Sequence, residues 1–413
     1  MHRRLFFVAT ALLPLSCAED EAAQAEESDQ GSGGAGGETA GVDATSGGPG
    51  GGAGGDAAAP DASAPDAANP DAALPNPAGY RVGYRVSELK YQPEGVEGER
   101  HLRLAFWYPT TDAEGPAASY LFGRIMHPEV FTDASLAPGR FPVLLFSHGS
   151  GGFAVQSPSF TEFFASQGFV VAAPDHTGNT FSDDGGLSPE MFALRPQDVS
   201  ATLDFVTNDD PTLKDRLTEE VIVAGHSFGG YTALSSVGLG FDLEAVDAYC
   251  AQASDALLCD LVDDAALRSL FELGFLEPRI KAAISMTPVG GPAYRPQDIA
   301  LPVLLLTASR DETLPEPIHG DAVWQGLDGE HDRRVVFQEA GHYTFTDICH
   351  ELPGLLMGDG CAADNLDPLL AHEITNAYSM AFARKHLFGE TAGDALLDCV
   401  EVPWPEGQCY KHP

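Results

Sequence analysis

Val221-Ile222-Val223-Ala224-Gly225-His226-Ser227-Phe228-Gly229-Gly230 is an apolar run that ends in a Gly-x-Ser-x-Gly turn, and helix-forming sequence follows from Tyr231. Consecutive apolar residues suit a strand buried on both faces. A strand that stops at a serine between two glycines and restarts as helix holds that serine in a sharp turn. Its Oγ then stands above the sheet, beside a helix N-terminus. A hydroxyl placed there is a nucleophile, and the backbone around it favours developing negative charge. Ser227 is the candidate nucleophile.

The same short apolar signature recurs on both sides of that stretch, at residues 143–146, 169–173, 282–286 and 303–307, with a weaker version at 334–338. Helical sequence lies between and after these runs, at 159–166, 196–207, 231–239 and 371–387. Residues 81–89 and 101–108 alternate partially and predict an antiparallel start. Strands alternating with helices predict an α/β fold, a mostly parallel central sheet with helices on both faces. Residues 241–279 are additional, helical and acidic, and are expected to form a small lid-like insertion.

A serine nucleophile needs a base, and the base needs an orienting acid. Asp311 follows the apolar run 301–308 directly, at the C-terminal end of a parallel strand, where functional residues gather in open α/β sheets. Glu312 is its adjacent competitor. His342 follows Val335-Val336-Phe337-Gln338, with Gly341 shaping its loop. His319, His331 and His350 read as surface histidines. A tetrahedral oxyanion needs two backbone N–H donors. Phe228 supplies one by following the nucleophile, and Ser150 in Ser147-His148-Gly149-Ser150-Gly151-Gly152 is the choice for the second. His148, His176 and His226 are expected to hold loops rather than to react. Phe153, Phe228 and Trp324 are candidates to line an apolar pocket, and equally candidates for the core.

Several segments together resemble a known family. Phe146-Ser147-His148-Gly149, Val170-Val171-Ala172-Ala173-Pro174-Asp175-His176, Arg195-Pro196-Gln197-Asp198-Val199, Gly225-His226-Ser227-Phe228-Gly229-Gly230 and the Asp311 and His342 segments follow one another in consistent order. They resemble the serine α/β-hydrolases that include platelet-activating-factor acetylhydrolases and predicted dienelactone hydrolases, over about residues 80–390. The chain order serine, acid, histidine matches as well. The resemblance implies the α/β-hydrolase fold and a serine carboxylic-ester hydrolase that uses no metal and no organic cofactor. Its substrates would be short-chain acyl esters or acetylated phospholipid-like molecules. True dienelactone hydrolases carry a cysteine nucleophile, and Ser227 departs from them. Polyester hydrolases, cutinases and lipases share the architecture. A non-catalytic binding module on the same scaffold is the reading from another class.

Composition sets the outer limits. Among the 413 residues are 61 acidic and 22 basic side chains, a net charge of −39. Phosphate-backbone binding needs clustered Lys and Arg, so nucleic acid is not an expected partner. Arg3 and Arg4 precede an apolar run at 5–15 that ends in Pro14-Leu15-Ser16-Cys17, as in a lipoprotein-type signal peptide. Cys17 is then the lipidated residue, which predicts export and a lipid anchor in the bacterial cell envelope, periplasmic or at the surface. Residues 18–79, rich in Gly, Pro, Asp and Ala, predict a disordered linker. Residues 80–413 are left as the hydrolase domain. Removing Cys17 from the seven cysteines leaves six in close pairs. An oxidising compartment permits disulfides, and the simplest pairing is Cys250–Cys259, Cys349–Cys361 and Cys399–Cys409.

Overall fold

The computed structural model describes residues 79–412 apart from 184–187, 252–256, 292 and 353–357. Cys17, the signal sequence and nearly all of the linker lie outside the described residues. Thirteen strands are described. They are β1 (Arg81–Tyr91), β2 (Arg100–Thr110), β3 (Ala117–Tyr120), β4 (Ile125–Thr132), β5 (Phe141–Ser147), β6 (Val170–Asp175), β7 (Leu217–His226), β8 (Gly240–Phe241), β9 (Ile280–Met286), β10 (Tyr294–Arg295), β11 (Val303–Ala308), β12 (Arg333–Phe337) and β13 (Gly407–Lys411). The α-helices are α1 (Pro158–Ser166), α2 (Pro189–Asp204), α3 (Phe228–Ser236), α4 (Leu243–Cys250), α5 (Leu257–Asp263), α6 (Ala265–Leu273), α7 (Gly320–Gly326), α8 (Ile348–Glu351), α9 (Pro368–Phe388) and α10 (Asp394–Leu397).

Eleven strands form one sheet in the order β13-β12-β11-β9-β7-β5-β6-β2-β1-β4-β3. The run from β12 to β6 is parallel. β2 pairs antiparallel to β6, β1 antiparallel to β2, and β13 antiparallel to β12. Alternation along each central strand splits the core between two faces. Val143, Leu145 and Val223 join α2, α3 and α7 on one face. Leu144, Phe146, Ile222 and Ala224 join α1 and α9 on the other. Both faces are covered, which is why the parallel strands carry unbroken apolar runs.

Every strand expected between 81 and 338 is present within a few residues. The main difference among the helices is α2, which begins at Pro189 and not near 196. Pro196 lies inside it. A proline in a helix interior removes an N–H and leaves the carbonyl four residues back without its donor. Here that carbonyl belongs to Phe192, and the Tyr231 hydroxyl of α3 donates to it at 2.8 Å. The contact between α2 and α3 thus satisfies the bond that proline gives up. β3, β4 and β13 have no counterpart in the sequence reading: β3 and β13 are short edge strands, and β4, paired on both sides, carries a mixed polar and apolar pattern.

The insertion is present as α4–α6. Val246, Val262, Leu267 and Phe271 place its apolar side in the same core as α2 and α3. Disulfides join Cys250 to Cys259, Cys349 to Cys361 and Cys399 to Cys409.

Candidate active site

Ser227 sits between β7 and α3 with φ 59° and ψ −118°. Such a conformation costs a non-glycine residue about 1–3 kcal/mol and persists only where the surroundings enforce it. The neighbouring glycines do so by close approach. A Cβ on Gly225 would stand 2.1 Å from the Gly229 carbonyl oxygen, and one on Gly229 would stand 1.9 Å from that of Ser147. Larger residues would push β5, β7 and α3 apart. The Ser227 N–H donates to the Met286 carbonyl at the end of β9, 2.8 Å away.

Asp311 and His342 arrive on the loops after β11 and β12. His342 Nδ1 lies 2.8 Å from Asp311 Oδ2, and both side chains are buried. The other carboxylate oxygen of Asp311 accepts the Leu314 N–H at 2.6 Å. Nδ1–H donated to a carboxylate leaves Nε2 as the proton acceptor of the ring. Glu312, the competing acid, is exposed. His331 and His350 lie at the surface beside Glu330 and Glu351. His319 differs from expectation by being buried, with Nδ1 against the backbone of Gly290. The sequence around it carries no apolar strand signature, so its burial was not legible.

Three segments converge on the serine through His226. Its Nε2 donates to the His342 carbonyl at 2.8 Å, and its Nδ1 faces the Gln156 amide at 3.2 Å. Gln156 Oε1 in turn accepts the Gly149 N–H at 3.0 Å. A Cβ on Gly149 would lie 3.4 Å from that of Ser227, so the Ser147–Gly152 loop borders the nucleophile directly. The N–H groups of Phe228 and Ser150 have no acceptor among the described residues. Gln156 lacks any sequence signal, since a lone amide in a loop follows no period.

Beneath that loop lies a buried cation. Arg195 of α2 donates to the His148 carbonyl, to Ser147 Oγ at 3.1 Å, to Asn179 Oδ1 at 2.7 Å and to Thr232 Oγ1 at 3.2 Å. Its guanidinium lies 4.7 Å from the centre of the Phe228 ring. Asn179 Nδ2 continues to Ser150 Oγ at 3.0 Å. One side chain therefore braces both residues expected to hold an oxyanion. Arg195→Leu strands several buried acceptors, each costing about 1–3 kcal/mol. We expect a clear fall in the urea midpoint together with lower turnover; an unchanged midpoint would refute the bracing role.

The histidines flanking the site are buried and neutral. His148 Nδ1 bonds the Gly149 carbonyl while its Nε2 accepts the His176 N–H at 3.0 Å. His176 reaches Asp198 with one ring nitrogen and Ser147 with the other. Burial, then the positive charge of Arg195, pushes His148 and His176 well below the ordinary imidazole range. Burial and the nearby His342 push His226 down to about 3. Below pH 6.5 the unfolded chain gains protons that these native imidazoles refuse, so their stabilisation is complete above 6.5 and lost as pH falls. For His226 the full effect is about 5 kcal/mol, spread between 6.5 and about 3. Asp198, pushed upward by desolvation, offsets part of this nearer its ordinary range. Urea titrations should show the midpoint falling from pH 7 to pH 5, with net proton uptake on unfolding; a flat midpoint would contradict it.

Trp324 stacks on the His412 ring at 3.9 Å beside β13 and does not join the site. Phe228 is buried against Phe192 and Tyr231. Phe153 lines a shallow cleft with Leu121, Ile125, Val155, Ile348 and Leu352.

A family model for serine aminopeptidases of the S33 type matches residues 140–243, from β5 through the nucleophile turn and α3. Platelet-activating factor acetylhydrolase from Bos taurus is 23% identical over 334 residues, covering 70% of this chain and 67% of that protein. The Canis lupus familiaris protein of the same name is 25% identical over 167 residues, 30% of this chain and 38% of the canine length. Among solved structures, a ferulic acid esterase from Streptomyces cinnamoneus superposes with a TM-score of 0.57 at 24% identity, covering 83% of this chain and 98% of that one. The chain thus has the fold of the ferulic acid esterase, and its stretch from β5 through α3 is similar to the serine aminopeptidases of the S33 type.

Proposed function

We propose that the protein hydrolyses carboxylic esters through an acyl-enzyme, with Ser227 as nucleophile, His342 as base and Asp311 as orienting acid. The observation that carries this reading is the buried 2.8 Å bond from His342 to Asp311, on a turn bonded to the residue before a strained serine. His342 Nε2 takes the hydroxyl proton as Ser227 Oγ attacks the ester carbonyl. Asp311 fixes the ring tautomer and stabilises the imidazolium. The free N–H groups of Phe228 and Ser150 receive the oxyanion. His342 then protonates the departing alkoxide, and a water activated by the same nitrogen releases the acid.

Short acyl esters and acetylated phospholipid-like molecules are the substrates we infer, supported by the similarity to proteins named for acetylhydrolysis of platelet-activating factor. Cys17 and the following linker would tether the enzyme to the bacterial envelope by an N-terminal lipid. The test is hydrolysis of p-nitrophenyl esters from acetate to palmitate, with matched amides alongside. Turnover highest at acetate supports the reading. A maximum at long chains indicates a lipase, amide cleavage a peptidase, as the family model's name suggests. No turnover, with no labelling by a fluorophosphonate, makes the protein a binding module.

A further inference from the structure

We propose that Asp359 is a positioning residue for the acid–base pair, a carboxylate latch between the loop that carries Asp311 and the turn that carries His342. Its Oδ1 accepts the N–H of His342 at 2.7 Å and that of Glu312 at 3.0 Å. Its Oδ2 accepts the N–H of Thr313 at 2.9 Å and the Thr313 hydroxyl. Its backbone carbonyl accepts the Tyr343 N–H at 2.9 Å. Donors from both loops therefore end on one residue. The roots of these loops are joined separately, by Ser309 N–H to the Phe337 carbonyl and Arg310 N–H to the Ala340 carbonyl. Asp359 joins the tips, where a displacement moves the imidazole relative to its carboxylate.

The segment bearing Asp359 is itself held in place. Asp359 has φ 47°, a left-handed conformation that aspartate adopts more readily than most residues but still at a cost. A Cβ on Gly341 would lie 2.2 Å from the Gly360 nitrogen, so this turn packs flat against the backbone just before His342. Cys361, two residues on, is bonded to Cys349 in α8. The latch is thus fastened covalently to the segment that follows the base. The carboxylate meets backbone N–H groups and a hydroxyl, which makes its role positional. Productive geometry tolerates about half an ångström, and a misplacement of about 1 Å costs on the order of 10²-fold in rate.

The kinetic half of the test rests on the esterase reading; the spectroscopic half does not. In the full chain, Asp359→Ala should lower kcat on p-nitrophenyl acetate by on the order of 10²-fold with little change in KM. The downfield proton resonance of the His342–Asp311 bond should broaden or vanish. Asp359→Asn keeps an acceptor for His342 and Glu312 and should recover part of both signals. Asp364→Ala, at an exposed site, should leave both unchanged. A folded Asp359→Ala protein with parental kcat and an intact resonance overturns the proposal. If the alanine variant does not fold, Asp359→Asn decides: a parental resonance and kcat overturn the latch, and a weakened resonance with reduced kcat supports it. A parent chain that cleaves no ester refutes the esterase reading, and the resonance comparison still judges the latch.

Discussion

On the proposed mechanism, Ser227→Ala should lower ester hydrolysis by on the order of 10⁶-fold, the scale on which serine triads fail when the nucleophile is removed. A residual rate of roughly 10³–10⁴-fold over water is expected, because the N–H groups of Phe228 and Ser150 and the binding surface remain. The loss should fall on kcat. Among the described residues, the Ser227 hydroxyl makes no hydrogen bond whose removal would weaken the fold, and its backbone bond to Met286 is kept. Alanine also accepts the φ of 59° no worse than serine does. The thermal midpoint should therefore stay near the parent's, and labelling by a fluorophosphonate should disappear. Substantial activity in the variant would mean that the ester bond is attacked by some other group.

Gly229→Ala unfolds the protein or brings it close to unfolding. The added Cβ would sit 1.9 Å from the Ser147 carbonyl oxygen, 2.5 Å from the Ser147 carbonyl carbon and 2.8 Å from the His148 carbonyl oxygen. All three are backbone atoms in or just after β5, at the centre of the sheet, and no side chain can rotate away. Overpacking that forces the backbone to shift costs about 1–3 kcal/mol in ordinary cores and more where the structure cannot give. Against a total stability of roughly 5–15 kcal/mol this is a large fraction. The same shift would drag the Ser147–Gly152 loop off the nucleophile. Soluble yield and the urea midpoint should both collapse. A variant with the parent's midpoint would show that α3 can retreat from β5, against the packing described above.

The central strands and the residues at their C-terminal ends were legible because burial on both faces writes an unbroken apolar run into the sequence. Ser227, Asp311 and His342 stand where such runs stop, so a reader who finds the strands finds these positions. The order serine, acid, histidine then limits the choice of partners. What was not legible is the second layer around them. Gln156, Asn179 and Asp359 are polar residues in loops, and their roles depend on which loops meet in space. Arg195 appeared only within a motif, without its task. A buried arginine is indistinguishable in sequence from a surface one until its acceptors are placed. The start of α2 was misread for a physical reason too: Pro196 looks like a helix beginning, and only the Tyr231 hydroxyl makes it tolerable seven residues inside.

β13 closes one border of the eleven-stranded sheet, and Cys399–Cys409 ties it to the segment after α10. Its five residues hide β12, whose Val335, Val336 and Phe337 are all buried. An uncovered strand with that composition offers open hydrogen-bonding groups to any neighbouring chain. The disulfide thus acts on the sheet's border: it fastens the strand that covers β12, whose edge, if bared, would be open to pairing with another chain. A reducing cytosol during recombinant expression would remove this safeguard before the enzyme is ever assayed.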